Sequence, residues 1–118
     1  MKQEINNAIS EHALYKFRLN DVIQKGKLEN PKGPCTETDC EFGKWFFGTE
    51  VSSRHRSSGF YKQVKQLHSD FHRIACQVAG LAAKGEKEEA QKMMEHEGEF
   101  NQVSNQLMET LIRWRNNV

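Results

Sequence analysis

Apolar residues recur at steps of three and four along most of the chain, which is the pattern of amphipathic α-helices. The first such segment runs from about Lys2 to Lys25, and Gly26 is a suitable stop. The pattern predicts another long helix from about Gly59 to Lys84. It predicts a last one from about Glu86 to Asn116, where Gly98 weakens the pattern locally. No segment shows the two-residue alternation of a β-strand.

A different pattern separates the first two long helices. The stretch from Lys27 to Thr38 contains both prolines of the chain and predicts a loop. A short helix is expected to begin near Thr36 or Thr38, either of which can cap it, and to end near Gly48. Cys40 falls in its first turn, where exposed amide N–H groups favour a thiolate. The helix also brings three aromatic side chains toward the core: Phe42, Trp45 and Phe46.

The segment from Thr49 to Ser58 is poor in apolar residues, so it is interpreted as a loop with an exposed His55. Taken together, the elements predict an all-α fold. We expect an antiparallel four-helix bundle of three long helices and one short helix that carries Cys40. At 118 residues, the chain is expected to form a single domain over residues 1–118.

Composition excludes some functions. Charged residues make up 28% of the chain but nearly balance to a net charge of +1, which argues against binding nucleic acid or anionic membranes. No apolar run approaches the roughly 18 residues of a membrane span. The polar start of the chain does not resemble a signal peptide, so a cytoplasmic location is expected, although the chain can be part of a longer protein. Three cysteines, an odd number, favour metal binding or redox chemistry over a disulfide framework.

Four residues have the chemistry of a zinc site. His68 and His72 lie four residues apart, so both point to one side of the same helix. His12 lies in the apolar stripe of the first helix, and Cys40 adds the only anionic ligand. Zinc prefers four imidazole and thiolate ligands in a tetrahedron, whereas magnesium and calcium prefer oxygen. A site with all four positions filled leaves no place for a reacting water, so an enzyme is not expected.

Each of these residues also has a simpler interpretation. A His-x-x-x-His pair arises often by chance, and His12 alone is more often a core histidine. Cys40 alone is more often a small buried hydrophobe. Cys76 lies beside the apolar stripe and is interpreted as structural. Cys35 is expected to be exposed, with a minor role as a resolving thiol for Cys40 as the alternative.

Two other classes of protein compete with a zinc site. A hemerythrin-like di-iron bundle also uses His-x-x-x-His pairs, but it needs more histidines and inward carboxylates, which the pattern does not supply. A purely structural bundle that dimerises through an exposed face is the third hypothesis. An iron site absorbs visible light and a zinc site does not, so colour separates the first two.

The chain resembles the chemoreceptor zinc-binding domain family, a bacterial cytoplasmic sensor module. The resemblance extends over about residues 4 to 115 and is carried by Glu11–Leu19 around His12 and by His68–His72. Its most distinctive part is the Cys-x-Phe-Gly-x-Trp motif of Cys40–Trp45. Further similarity lies at Ala82–Gly85 and Phe100–Ser104.

The resemblance implies a zinc ion bound by three histidines and one cysteine: His12, Cys40, His68 and His72. It further implies a role in chemotaxis, motility or biofilm control, in response to zinc or to oxidants such as hypochlorous acid. Members occur with chemoreceptor signalling domains or diguanylate cyclases, and sometimes alone. A homodimer is implied by the family, as is a coupled output domain. The zinc-bound thiolate of Cys40 is expected to be the responsive ligand, because oxidation to sulfenic acid removes its charge.

Overall fold

The computed structural model describes residues 2–26, 41–55 and 57–117. Over these residues the fold is all-α and contains no strand, as predicted. Six helical segments follow one another: α1 (Lys2–Lys25), α2 (Glu41–Phe46), α3 (Thr49–His55), α4 (Gly59–Ala83), α5 (Lys87–Met94) and α6 (Glu99–Asn116).

The two longest helices, α1 and α4, have nearly the bounds that the apolar pattern predicts. The buried positions of α1 fall at steps of three and four, so one stripe of the helix faces the core. These positions are Ile5, Ala8, His12, Tyr15, Leu19 and Ile23. Gly26 ends α1 with a φ of 70°, a left-handed conformation that favours glycine, and its amide donates to the Val22 carbonyl.

Ring contacts show how the long helices are oriented. Phe100, at the start of α6, lies 5.2 Å from Phe71 in the middle of α4. Trp114, near the end of α6, lies 6.4 Å from Tyr61 at the start of α4, so α4 and α6 are antiparallel. Arg115 donates to Asn6, which brings the beginning of α1 to the same end of the bundle. The start of α1, the start of α4 and the end of α6 therefore lie together.

The core lies between α1, α4 and α6, with the short helices closing its sides. Its largest fully buried residues come from four helices and include aromatic, aliphatic and histidine side chains. The three histidines of the sequence prediction are among them, although buried polar groups are costly unless they bind a partner. The aromatic and histidine members are Trp114, Phe46, Phe71, Phe100, His12, His68 and His72.

The prediction of one continuous last helix is wrong, because the chain breaks between α5 and α6. The Asn101 side-chain amide donates to the carbonyls of Met94 and Glu95, both at 2.7 Å. Carbonyl groups at the end of a helix have no amide partner within the helix, and Asn101 supplies one for these two. Gly98 lies so close to the backbone at the end of α5 that a Cβ at this position would clash with the carbonyl oxygen of Met93. The break therefore needs both the Asn101 amide and a glycine at position 98.

The predicted loop from Thr49 to Ser58 is also wrong, since it contains the two-turn helix α3. Val51 is buried, and His55, one helical turn later, is half-buried rather than exposed. The His55 ring lies 6.2 Å from the Trp114 ring in an edge-on contact. Among the described side chains of α3, only Val51 and His55 are not exposed, which is too few to produce an apolar stripe in the sequence.

The predicted short helix corresponds to α2, which begins at Glu41 and ends at Phe46, close to the predicted end at Gly48. Cys35, Cys40 and the predicted caps Thr36 and Thr38 lie outside the described residues. Phe42 and Phe46 are buried as predicted, whereas Trp45 is only half-buried. Among the described helices, none is long and apolar enough to cross a membrane.

Candidate metal centre

The first imidazole of the centre belongs to His12, in the middle of the buried stripe of α1. Its Nδ1 atom lies 2.7 Å from the carbonyl oxygen of Ala8, one turn earlier in the helix. A carbonyl only accepts, so Nδ1 carries the proton and donates it. Nε2 therefore presents its lone pair to the interior, where it has no hydrogen-bond partner among the described residues. A backbone contact that fixes the ring tautomer in this way is typical of metal-binding histidines.

His68 and His72 stand one turn apart on α4 and meet at their Nε2 atoms, which are 3.1 Å apart. Zinc–imidazole bonds of about 2.0–2.1 Å in a tetrahedron place two ligand nitrogens about 3.3 Å apart. The observed separation is close to that edge length. One ring nitrogen from each of the three histidines lies within 4.8 Å of the other two. The structure therefore brings together His12, His68 and His72, three of the four residues that the sequence predicts for the site.

Aromatic rings enclose the three imidazoles. Phe42 meets His12 and His68 edge-on, at 5.8 Å and 5.1 Å between ring centroids. Tyr15 stacks on His12 at 5.8 Å and contacts His72 at 5.4 Å. Phe71 packs against His12 at 5.1 Å. This apolar shell excludes water and fixes the ring orientations, which strengthens interactions with a cation inside it.

Burial keeps the imidazoles of His12 and His68 uncharged. Desolvation lowers the pKa of His12 from 6.5 to about 4, although the hydrogen bond to Ala8 opposes the shift. Desolvation also lowers the pKa of His68 to about 2, assisted by the neighbouring His12 and His72. Both rings are therefore neutral near pH 7. A neutral imidazole has the free lone pair that a metal requires, so these two rings do not have to lose protons before binding.

The donor set fits zinc better than a di-iron centre. Over the described parts of the chain, the cluster consists of three histidines and no carboxylate joins it. A di-iron site needs bridging carboxylates, so the hemerythrin-like alternative is not favoured. Three converging imidazoles leave one position of a tetrahedron for a further ligand. The predicted fourth ligand, Cys40, immediately precedes α2 and lies outside the described residues.

Cys76 lies on α4 one turn beyond His72. The sequence prediction gave it a structural role, and the structure shows it half-buried and joined in a disulfide bond. The only other cysteines of the chain are Cys35 and Cys40. A Cys40 thiolate bound to a metal therefore requires that Cys76 pair with Cys35.

Sequence reasoning identified the histidines but not the groups that orient them. Ala8 acts through its carbonyl oxygen, which every residue has, so no side chain marks it. Tyr15 follows His12 by three residues and Phe71 directly precedes His72. Their proximity in the sequence was visible, but their contacts with both histidine-bearing helices required the packed structure.

A buried cluster of three converging imidazoles inside a helical bundle is typical of a metal-binding helical domain. The sequence profile described as the chemoreceptor zinc-binding domain matches residues 12–79. This is more than half of the chain, and the chain belongs to that family, whose cofactor is zinc. Comparisons with the curated proteins and with the solved structures found no match. The family is regulatory rather than catalytic.

Proposed function

We propose that this chain is a sensory domain of bacterial signalling that binds one zinc ion through His12, Cys40, His68 and His72. The observation that carries the proposal is the buried imidazole cluster, with the His12 tautomer set by Ala8 and the two α4 nitrogens 3.1 Å apart. The family membership adds the identity of the metal. Cys40 is assigned as the fourth ligand because it directly precedes α2, whose Phe42 touches two of the histidines.

The zinc-bound thiolate of Cys40 is proposed as the switch. A thiolate that reacts with hypochlorous acid gives up two electrons, gains the oxygen as sulfenic acid, and releases chloride. The sulfur would then lack its negative charge and would bind zinc weakly. Because Cys40 is bonded to the first residue of α2, its release frees that end of the helix. Loss of zinc alone would release the same residue, so either signal would reach α2.

The output of the switch is proposed to be chemotaxis or diguanylate cyclase signalling in the cytoplasm, through a domain in the same protein or in a partner. The family description as a chemoreceptor domain supports this assignment. The start of α1 and the end of α6 lie at one end of the bundle, where Arg115 donates to Asn6. A change in helix packing at this end would pass to whatever is joined to either terminus.

The functional unit is proposed to comprise residues 1–118, although the family profile matches only residues 12–79. Phe100 and Trp114, outside the matched region, are almost completely buried against residues inside it. Removing α6 would therefore expose Phe71 and Phe46. A truncation after residue 84 is expected to lose its cooperative thermal transition, and a truncated chain that melts like the full one would limit the unit to the matched region.

A homodimer is proposed to form through the outer face of α1. Leu14 and Phe17 lie one turn apart on this face and are 48% and 69% exposed, which is unusual for large apolar side chains. Sedimentation of the wild type should give a dimer, and Phe17→Glu should give a monomer with unchanged zinc content. A monomeric wild type at high concentration would exclude this interface.

Cobalt substitution tests the ligand set. Co²⁺ occupies tetrahedral zinc sites, and a thiolate ligand gives it an intense charge-transfer absorption in the near ultraviolet. The wild type should show that band, and Cys40→Ser should lose it while keeping weaker cobalt binding by the histidines. The double variant Cys35→Ser/Cys76→Ser, which leaves Cys40 without another cysteine to pair with, is the control and should keep the band. If Cys40→Ser keeps it, Cys40 is not a ligand. If oxidant leaves zinc bound to the wild type, the switch is wrong.

A further inference from the structure

A positive charge lies close to the metal centre, beside Tyr15. Arg18 follows Tyr15 by three residues on α1, and its guanidinium carbon lies 5.5 Å from the centre of the Tyr15 ring. Such a contact is a cation–π interaction, in which a cation is attracted to an aromatic face. Arg18 is exposed to solvent, whereas Tyr15 is buried. The guanidinium group therefore lies between the aromatic shell of the centre and the solvent.

Tyr15 connects this charge to the imidazole cluster. Its ring stacks on His12 with 5.8 Å between centroids and meets His72 edge-on at 5.4 Å. The guanidinium carbon of Arg18 is consequently at most about 11 Å from the centre of the His12 ring, which is the sum of the two distances along this path. A further ring contact, to Phe71 at 5.1 Å, holds Tyr15 between α1 and α4. Tyr15 thus contacts both Arg18 and two of the metal-binding histidines.

No acidic side chain pairs with Arg18 in the part of the chain that the structure describes. The cations of the ion pairs between described residues are Lys25, Arg73 and Arg113. The next acidic residue along α1, Asp21, lies 3.1 Å from the Lys25 nitrogen and so pairs with that lysine. The charge of Arg18 is therefore not neutralised by a contact of its own.

A charge in this position opposes metal binding. His12 and His68 are neutral near pH 7, so a bound divalent ion brings two positive charges into the centre, and Arg18 repels them. The field of Arg18 reaches the cluster, because its charge adds to desolvation, the largest cause, in lowering the pKa of His12. Water screens an exposed charge, and at about 10 Å the repulsion corresponds to roughly a three- to fivefold change in the binding constant.

Arg18 also packs on Tyr15, and this contact has the opposite effect on zinc, because a loosened Tyr15 ring would weaken binding. The structure favours the effect of the charge. Tyr15 keeps three ring contacts without Arg18, to His12, Phe71 and His72. A cation–π contact with an exposed cation adds little to these, since water competes for the guanidinium group. Removal of Arg18 therefore changes the charge near the centre more than the position of Tyr15.

We propose that Arg18 lowers the affinity of the centre for zinc and thereby sets the zinc concentration at which the domain responds. What the position requires is a positive charge, held over Tyr15. The inference rests on zinc binding by the imidazole cluster and on the proposed sensory function, and it does not depend on the identity of the fourth ligand. A domain without this charge should fill with zinc at a lower concentration.

Zinc affinity, measured by competition with a chelator of known affinity, tests the charge of Arg18. At low ionic strength, Arg18→Gln should bind zinc roughly three- to fivefold more tightly than the wild type. Arg18→Lys keeps the charge and should bind zinc as the wild type does. In about 0.5 M salt, the difference between Arg18→Gln and the wild type should largely disappear, because salt screens a repulsion over this distance.

Three controls separate the local charge from general effects. Lys87→Gln removes an exposed positive charge from the start of α5, a helix without a histidine of the centre, and should leave zinc affinity unchanged. His72→Ala should lose most of its zinc binding, which assigns the measured affinity to the imidazole cluster. Circular dichroism should show the same helix content for Arg18→Gln and the wild type, because Arg18 is exposed and glutamine is a good helix former.

Several results would overturn the inference. Weaker or unchanged zinc binding in Arg18→Gln at low ionic strength would refute a repulsive role for Arg18. An equal gain in Arg18→Lys or in Lys87→Gln, or a gain that high salt leaves intact, would show that the charge at this position is not the cause. A wild type that binds no zinc, or a His72→Ala protein that binds it as tightly as the wild type, would refute the metal centre itself and the inference with it. These two proteins therefore distinguish failure of the site from failure of the role of Arg18.

Discussion

The metal-free protein should lose stability steeply between pH 6.5 and pH 4, because its buried histidines resist protonation. His12 has a pKa of about 4 in the folded chain and 6.5 as its ordinary value. Between these values the unfolded chain binds a proton that the folded chain does not. Unfolding is therefore favoured as the pH falls through this window, and the contribution of His12 levels off below about pH 4.

The loss of stability can be calculated from the two pKa values of His12, 6.5 in the unfolded chain and about 4 in the folded chain, which differ by about 2.5. At about 1.4 kcal/mol per unit, His12 alone costs about 3 kcal/mol of unfolding free energy at pH 4. His68, whose pKa falls to about 2, acts in the same direction over the same window. The total is a large part of the roughly 5–15 kcal/mol that stabilises a typical domain. The metal-free protein should thus unfold in mild acid.

Urea denaturation at several pH values, after removal of metal with a chelator, measures this effect. The wild type should lose about 2.7 kcal/mol per pH unit near pH 5, from two protons. His12→Gln cannot take up its proton and should lose about half as much per unit. The slopes are compared rather than the absolute stabilities, because the glutamine also changes packing. Equal slopes for the two proteins would refute the assignment of His12 as a buried neutral group.

Other predictions test the chain break and the cysteines. Gly98→Ala should destabilise the protein by roughly 1–3 kcal/mol in thermal unfolding, because its Cβ meets the Met93 carbonyl. Gly59→Ala, which meets nothing within 4 Å, is the control, and equal melting temperatures would disprove the clash. Asn101→Ala should cost about 1–3 kcal/mol through loss of its two carbonyl contacts, seen as a lower urea midpoint, and an unchanged midpoint would contradict their role. Peptide mapping without reductant should show Cys76 linked to Cys35 by a disulfide bond. A disulfide between Cys76 and Cys40 would instead contradict the assignment of Cys40 as a zinc ligand.

The parts of the fold that the sequence predicted are those in which local pattern and packing agree. α1 and α4 carry long apolar stripes, so their lengths and inward faces follow from periodicity alone. The helix α3 was missed because Val51 and His55 are its only inward contacts among the described side chains. The break before α6 was missed because it depends on the Asn101 side chain reaching backward to two carbonyls. Such contacts leave no periodic signal.

The candidate site also has features that the sequence predicted and features that it did not. The four-residue spacing of His68 and His72 and the inward position of His12 predicted their convergence, because helix geometry fixes both features. The shell formed by Tyr15 and Phe71 and the hydrogen bond from Tyr61 to the end of α2 arise only when the helices pack together. The tautomer of His12 is set within α1 by a backbone carbonyl, which no side chain marks. These contacts determine how strongly a given arrangement of ligands binds. They could not be inferred from spacing.

The most direct test of the central claim is the zinc content of the purified protein, measured by elemental analysis beside protein concentration. We predict one zinc ion per chain for the wild type and a large loss of zinc in His72→Ala. The control His96→Ala, which removes an exposed histidine outside the cluster, should keep its zinc. A wild type without zinc after purification and reconstitution, or a His72→Ala protein that retains a full equivalent, would contradict the account.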